Sequence, residues 1–244
     1  MAQPGSLSST VRKVCSPAEY QKLRYESFTP EQLVAMALAH EPYFAPGAGW
    51  NYSNTNYVLI GQIIGKVTGR SWDREVRDRI LRPLHLRHTY APGTRTELAD
   101  PHASAYLFFD RETRVETADE NLSWAGAAGE LVTNASDLSR FWAALGNGRL
   151  LRKGQEKQMR TTVLAEENQE DFPGERYGLG LGWHPLTCGG GYWTHDGDVP
   201  GFSTKTALSV DGRTTVVVSL STSADGPVHV AAWTLIDNVL CSRR

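Results

Sequence analysis

Trp193-Thr194-His195-Asp196-Gly197 opens the stretch whose reading decides the fold. Three extended runs follow one another from there: Trp193 to Thr194, Thr204 to Val210 and Thr214 to Thr222. The two longer runs are rich in threonine and valine, and Asp211-Gly212 between them is a strong hairpin turn signal. This predicts successive antiparallel strands. Val228 to Leu240 then predicts a closing apolar helix.

Ahead of Tyr177 the sequence is helical. Thr29-Pro30-Glu31-Gln32 combines an N-cap threonine, proline at the first helical position and glutamine three residues on. Leu33, Met36, Ala37 and His40 follow at helical spacing. Pro46 and Gly47 begin a turn that delivers the chain to Tyr52. Asn54 to Gly69 predicts a second helix, with Tyr57, Ile60, Gly61 and Ile64 on one face and Gly69 as the C-terminal cap. Ser71 caps a third helix that Pro83 ends. Ser136 caps a fourth, through Leu138, Trp142 and Leu145, and a fifth spans about Lys153 to Leu164. Residues 1–27 have no clean period and read as a loose lead-in. The expected class is α/β (α+β), with a helical lobe over about 28–176 and a sheet with its closing helix over about 177–241.

At 244 residues the chain suits one large domain or two small lobes, and 40% hydrophobic content supplies a core. A net charge of −2 gives no global field toward nucleic acid or an anionic membrane. No stretch approaches the ~20 apolar residues of a membrane span. Met1 to Thr10 lacks the apolar core of a signal peptide, so no export signal is expected in this sequence. The odd cysteine count (Cys15, Cys188 and Cys241) leaves at least one thiol unpaired.

Two triplets carry candidate chemistry. Tyr52-Ser53-Asn54 opens a helix, where free N–H groups and a positive partial charge face outward. That setting favours a tyrosinate at Tyr52, as general acid or base, and orients the Asn54 amide toward a carbonyl. Packing and chance are the bland reading of so short a triplet. In His195-Asp196-Gly197, glycine lets a ligand backbone lie along the strand edge, and histidine supplies a donor or a positive charge. An Asp-Gly turn with an incidental histidine is the alternative. Ser123-Trp124-Ala125-Gly126 reads as a substrate-lining loop or as packing. His85, His88 and His102 read as a solvated turn rather than a metal site. Lys205-Thr206-Ala207 is faintly similar to a K-T-G triad but reads more readily as strand continuation. No cofactor is implied.

Taken in order, a longer set of landmarks is far more specific than either triplet. It comprises Ala45-Pro46-Gly47, Tyr52 to Tyr57, Gly61 to Gly69, Ser123 to Gly129, Tyr177-Gly178-Leu179-Gly180-Leu181, His195-x-Gly197 and Pro200-Gly201-Phe202. From about Phe28 to Cys241 the chain resembles the penicillin-recognising serine hydrolases: class C β-lactamases, D-alanyl-D-alanine carboxypeptidases and esterases. The resemblance implies a β-lactamase/transpeptidase-like fold. It makes Tyr52 a proton shuttle, Asn54 a ligand for the substrate amide, and His195 and Gly197 the strand flanking a small-molecule or peptide substrate. It places Trp124 along the cleft and Asp196 and Asp198 at the substrate subsite, and it implies a Cys188–Cys241 disulfide in an oxidising compartment, with Cys15 free. Relatives are mostly exported proteins.

Three departures qualify the resemblance. The family's nucleophile is the serine of a Ser-x-x-Lys, yet the residues three before Lys13, Lys22, Lys66, Lys153, Lys157 and Lys205 are Thr10, Glu19, Ile63, Leu150, Gly154 and Phe202. Two N-terminal strands and a helix of the family are expected to be missing with it. Gly182 stands where the carboxypeptidases carry an arginine for a substrate carboxylate, and Asp196 and Asp198 add negative charge nearby, so an esterase, amidase or D-aminopeptidase specificity is expected. The sheet edge and one face of the last helix are expected to be uncovered, which suits self-association or a complementing N-terminal polypeptide. Three functions follow: a serine hydrolase whose nucleophile segment lies elsewhere, a binding pseudo-hydrolase, and a non-covalent acid–base enzyme using Tyr52 and His195.

Overall fold

The computed structural model describes residues 16–110, 112–170, 172–222 and 226–243. The chain folds as two compact units. One includes the chain up to Pro83 and His88–Thr133; the other takes Leu84–Arg87 and everything from Asn134. The division thus falls some forty residues before the β-rich region, because the fourth and fifth predicted helices join the sheet's unit.

The first unit begins earlier than its sequence pattern implies. Residues of the expected loose lead-in form α1 (Pro17–Leu23), capped by the Ser16 hydroxyl, which accepts from Glu19 N–H at 3.2 Å. Tyr20 is fully buried and donates its hydroxyl to Glu120 Oε2 at 2.7 Å. Arg24 donates to the Asp119 carbonyl and pairs with its carboxylate, and its own carbonyl accepts from Asn121 N–H. These long-range bonds, not local periodicity, order the segment. Cys15 and the Thr10–Lys13 spacing lie outside the described residues.

α2 (Pro30–Leu38) starts at the predicted capping box: Gln32 N–H donates to the Thr29 hydroxyl and Thr29 N–H to Gln32 Oε1. α3 (Asn54–Thr68) ends at Gly69, whose φ of 70° is the left-handed cap that glycine adopts without strain. Leu33, Ala37 and Val58 form this unit's core cluster, with Phe28, Val34 and Ala128 against it. The third predicted helix is split: α4 (Trp72–Val76) continues into a π-helical turn, Arg77–Leu81. β1 (Tyr106–Phe108) and β2 (Arg114–Glu116) form a small antiparallel pair, and the 3-10 turns Leu122–Trp124 and Gly126–Ala128 follow.

In the second unit α5 (Ala135–Gly146) is capped by Asn134, whose side chain accepts from Asp137 N–H at 2.8 Å; Ser136 is already inside the helix. α6 (Lys153–Met159) is shorter than predicted, because Val163–Leu164 becomes strand β3. It is followed by β4 (Arg176–Tyr177), β5 (Gly182–Pro185), β6 (Gly191–Thr194), β7 (Gly197–Val199), β8 (Phe202–Ser209) and β9 (Thr215–Leu220). The seven strands form one antiparallel sheet in which β6 and β7 share one edge of β8 and β9 takes the other. Leu208↔Thr215 is the last pair before the turn containing Asp211-Gly212, so the predicted hairpin forms in register.

Strand alternation divides the sheet's side chains between two cores. Trp193, Leu208 and Leu181 pack with Trp142 and Leu145 of α5. Tyr192, Ala207 and Leu186 pack with Ile236 and Leu240 of α7 (Pro227–Cys241). Val228, Val230 and Leu235 of α7 are 47%, 63% and 49% exposed, and among the described residues no strand pairs the outer edge of β9. Cys188 and Cys241 are joined in a disulfide that ties the β5–β6 turn to the end of α7.

Candidate active site

In the first unit, the candidate residues Tyr52 and Asn54 sit at the start of α3. Ser53 occupies the N-cap, and Asn54, half-buried, is the first helical residue. The Tyr52 and Tyr57 rings are 5.7 Å apart. Burial, reinforced by Tyr57, pushes the Tyr52 phenol well above its ordinary value. The expected tyrosinate is therefore corrected to a neutral phenol: removing the ring from water outweighs the partial charge of a helix start. A neutral phenol has a proton to give and no charge with which to take one.

Trp124 ends a 3-10 turn and donates its indole N–H to Glu120 Oε1 at 2.9 Å. Glu120 thus holds both Trp124 and Tyr20. Ser123 is buried and accepts from Phe28 N–H at 2.9 Å. The backbone just after Trp124 lies against α3: a Cβ added to Gly61 would come within 2.6 Å of Ala127 Cβ. Glycine at 61 is what allows that approach.

The second unit carries His195, Asp196, Gly197 and Asp198. His195 Nδ1 lies 2.8 Å from the Asp196 carbonyl, and a carbonyl only accepts, so Nδ1 carries the hydrogen. Nε2, 3.0 Å from the Tyr177 hydroxyl, then accepts from it. Burial lowers the His195 pKa, against the opposing pull of the Asp196 carbonyl and Glu175. The ring is neutral near pH 7, so of the two roles expected for it the geometry supports the hydrogen-bonding one. Gly197 is exposed, and a Cβ there would meet nothing within 4 Å among the described residues, which leaves the strand edge open. The turn after it places Pro200 and Gly201 between paired Val199 and Phe202, with φ 76° at Gly201.

Asp196 and Asp198, expected at the substrate subsite, both pair with a lysine. Their carboxylates lie 3.3 and 3.1 Å from Lys205 Nζ, and that ammonium sits 5.9 Å from the ring centre of Trp233 on α7. The reason is the two-residue period: residues 196 and 198 turn to the α7 face, opposite His195. Burial raises the Asp196 pKa to about 7, although Lys205 opposes the shift. Lys205, read from sequence as simple strand continuation, is itself fully buried.

Among the described residues no three His, Cys, Asp or Glu side chains form a metal-binding group. Glu120 gave no sequence signal, and Thr206 stood only in the Lys205-Thr206-Ala207 triplet. Tyr177 stood in a landmark whose geometry only the fold supplies.

The Beta-lactamase family model matches residues 8–240. The D-stereospecific amidohydrolase from a Streptomyces species is 40% identical, with a TM-score of 0.86, over 93% of this chain and 67% of that one. The D-amino acid amidase from Ochrobactrum anthropi SV3, complexed with D-phenylalanine, is 25% identical with a TM-score of 0.76, over 88% and 64% of the two chains. A penicillin-binding protein from Bacillus subtilis (strain 168) is 28% identical over 210 residues, 81% of this chain, which spans only 45% of that relative's length. With the fold, the ordered landmarks and this match over nearly all of its length, the chain belongs to the β-lactamase family of penicillin-recognising serine hydrolases.

Proposed function

We propose that this chain is the tyrosine- and histidine-bearing part of an amidohydrolase of the D-amino-acid amidase or D-peptidase type. The observation that carries the reading is the 40% identity to a D-stereospecific amidohydrolase over 93% of the chain, and the chain itself carries Tyr52, Asn54, His195 and Gly197. The attacking hydroxyl comes from a Ser-x-x-Lys segment outside this sequence. The serine oxygen adds to the amide carbonyl as the lysine of that segment takes its proton. The neutral Tyr52 phenol protonates the departing amine and recovers a proton from the lysine. Water then cleaves the ester, its proton returning to the serine oxygen through the same groups. Asn54 binds the substrate amide, and His195 and Gly197 flank it.

Gly182, on β5 opposite Thr194, offers no charge to a substrate carboxylate, which favours an amide or ester over a free C-terminus. The exposed apolar residues of α7 and the outer edge of β9 support a covering polypeptide. The disulfide suits an oxidising compartment.

The test is to fuse the chain to the third of the Streptomyces amidohydrolase that it does not cover and to follow D- and L-phenylalanine amide. Turnover of the D-amide, lowered about 100-fold or more by Tyr52→Phe, is expected. A folded fusion that turns over neither amide and forms no adduct with a fluorophosphonate defeats the reading. A second reading, a ligand-binding protein without turnover, is favoured by the lack of any Ser-x-x-Lys in the 244 residues. It predicts saturable D-phenylalanine amide binding by the chain alone.

A further inference from the structure

The ladder between β8 and its neighbours has a gap at the site. β6 pairs with β8 as far as Trp193↔Leu208, and β7 resumes at Gly197↔Thr204. Four steps separate the two pairs on each strand, so nothing is inserted and the register is continuous. Yet residues 195 and 196 belong to no strand. Side chains take the place of the ladder there. The Thr206 hydroxyl donates to the His195 carbonyl at 2.6 Å and accepts from His195 N–H at 3.3 Å. The Thr194 hydroxyl donates to the Thr206 carbonyl at 2.6 Å.

Lys205 works on the other face of the same gap. Its ammonium lies 3.1 Å from both carboxylate oxygens of Asp198 and 3.3 Å from Asp196 Oδ2. The two aspartates flank Gly197, so one cation grips the strand on either side of the glycine. A buried lysine is costly unless paired, and an apolar side chain of similar volume would stabilise a sheet at least as well. What the charge adds is a fixed position for the backbone it holds.

We propose that Lys205 is a positioning residue for His195 and Gly197. Its hold on the Asp196 side chain sets where the Asp196 carbonyl stands. That carbonyl accepts from His195 Nδ1, which leaves Nε2 to Tyr177. Lys205 thereby selects the tautomer and orientation of His195 through two intervening contacts, without touching the imidazole. The role rests on the reading of His195 and Gly197 as site residues.

The test uses the full chain labelled with 15N at histidine, with the His195 resonances assigned by their loss in His195→Gln. The wild type is expected to show the Nδ1–H tautomer and a pKa below about 6.5. Lys205→Met is expected to give a mixture of tautomers and a His195 pKa raised by about half a unit or more. Lys205→Arg, which keeps both carboxylates paired, keeps the wild-type signature. Lys205→Met leaves two aspartates facing an apolar side chain and can fail to fold. The triple variant Lys205→Met/Asp196→Asn/Asp198→Asn removes those charges and is expected to show the same His195 change. A wild-type tautomer and pKa in either folded variant overturns the proposal and leaves Lys205 a purely structural residue. The readout needs no substrate, so it stands or falls separately from the amidohydrolase reading.

Discussion

At the scale of the residue, burial shifts the titration of both candidate groups, Tyr52 and His195. Tyr52 stands next to a helix start, yet loss of solvent and the Tyr57 ring hold it neutral. An ultraviolet difference titration between wild type and Tyr52→Phe should show no phenolate below about pH 10; ionisation near neutrality would contradict the proton-donor role. Burial lowers the His195 pKa, and the neutral ring accepts a hydrogen bond from Tyr177 at Nε2. Removing that donor in Tyr177→Phe takes away a bond that only the neutral ring accepts. The His195 pKa should therefore rise, by roughly half a unit to one unit in an NMR titration. An unchanged value would mean that burial alone sets it.

At the scale of the element, the first unit depends on a close approach between α3 and the turn after Trp124. Gly61→Ala forces a Cβ to within 2.6 Å of Ala127 Cβ and should cost about 1–3 kcal/mol in chemical denaturation. Adding Ala127→Gly should recover much of that loss, and a strictly additive pair would show that the two positions do not meet. Glu130, on the same turn's exit, is 6% exposed, and burial with help from Asp73 raises its pKa to about 7. Unfolded, it titrates near 4.5. Between these values the folded chain binds more protons than the unfolded one, so Glu130 makes stability fall as pH rises from 4.5 to about 7, and the loss is complete above that. Glu130→Gln should gain up to about 3 kcal/mol over wild type at pH 8 and nothing at pH 4, measured by denaturant midpoints.

The elements also show how far pattern reading reached. Thr29, Gly69 and Asp211-Gly212 act locally, through capping and turn geometry, and their elements formed where those residues place them. α1 did not announce itself, since its order comes from Tyr20 and Arg24 bonding to residues about a hundred positions away. The fifth helix stops early for a similar reason: Val163–Leu164 finds a strand partner in Arg176–Tyr177.

At the scale of the whole molecule, the disulfide closes a stretch with a sequence separation of 53 within the second unit. Constraint of the unfolded chain over that length is worth about 4 kcal/mol. Reduction, or Cys188→Ser with Cys241→Ser, should lower the melting temperature of a transition followed by the tryptophans packed on the sheet. An unchanged melt would place the disulfide outside that cooperative unit. The outer edge of β9 and the exposed side chains of α7 belong to this scale too, because their exposure follows from how the strands and helices of the unit pack and not from any local pattern.

The sequence by itself determined the family, the antiparallel order of the last strands and the closing helix, and it named Tyr52, Asn54, His195 and Gly197 as candidates. Each is carried by short-range signals: caps, turns, the two-residue strand period and an ordered set of landmarks. The tertiary structure decided what those signals cannot hold. It made Tyr52 a phenol rather than a phenolate, because burial is a sum over distant neighbours. It turned Asp196 and Asp198 onto Lys205, because facing across a sheet follows from pairing and not from adjacency. It gave His195 its partner Tyr177, eighteen residues away in sequence, because β5 and β6 lie between them and fold back on one another.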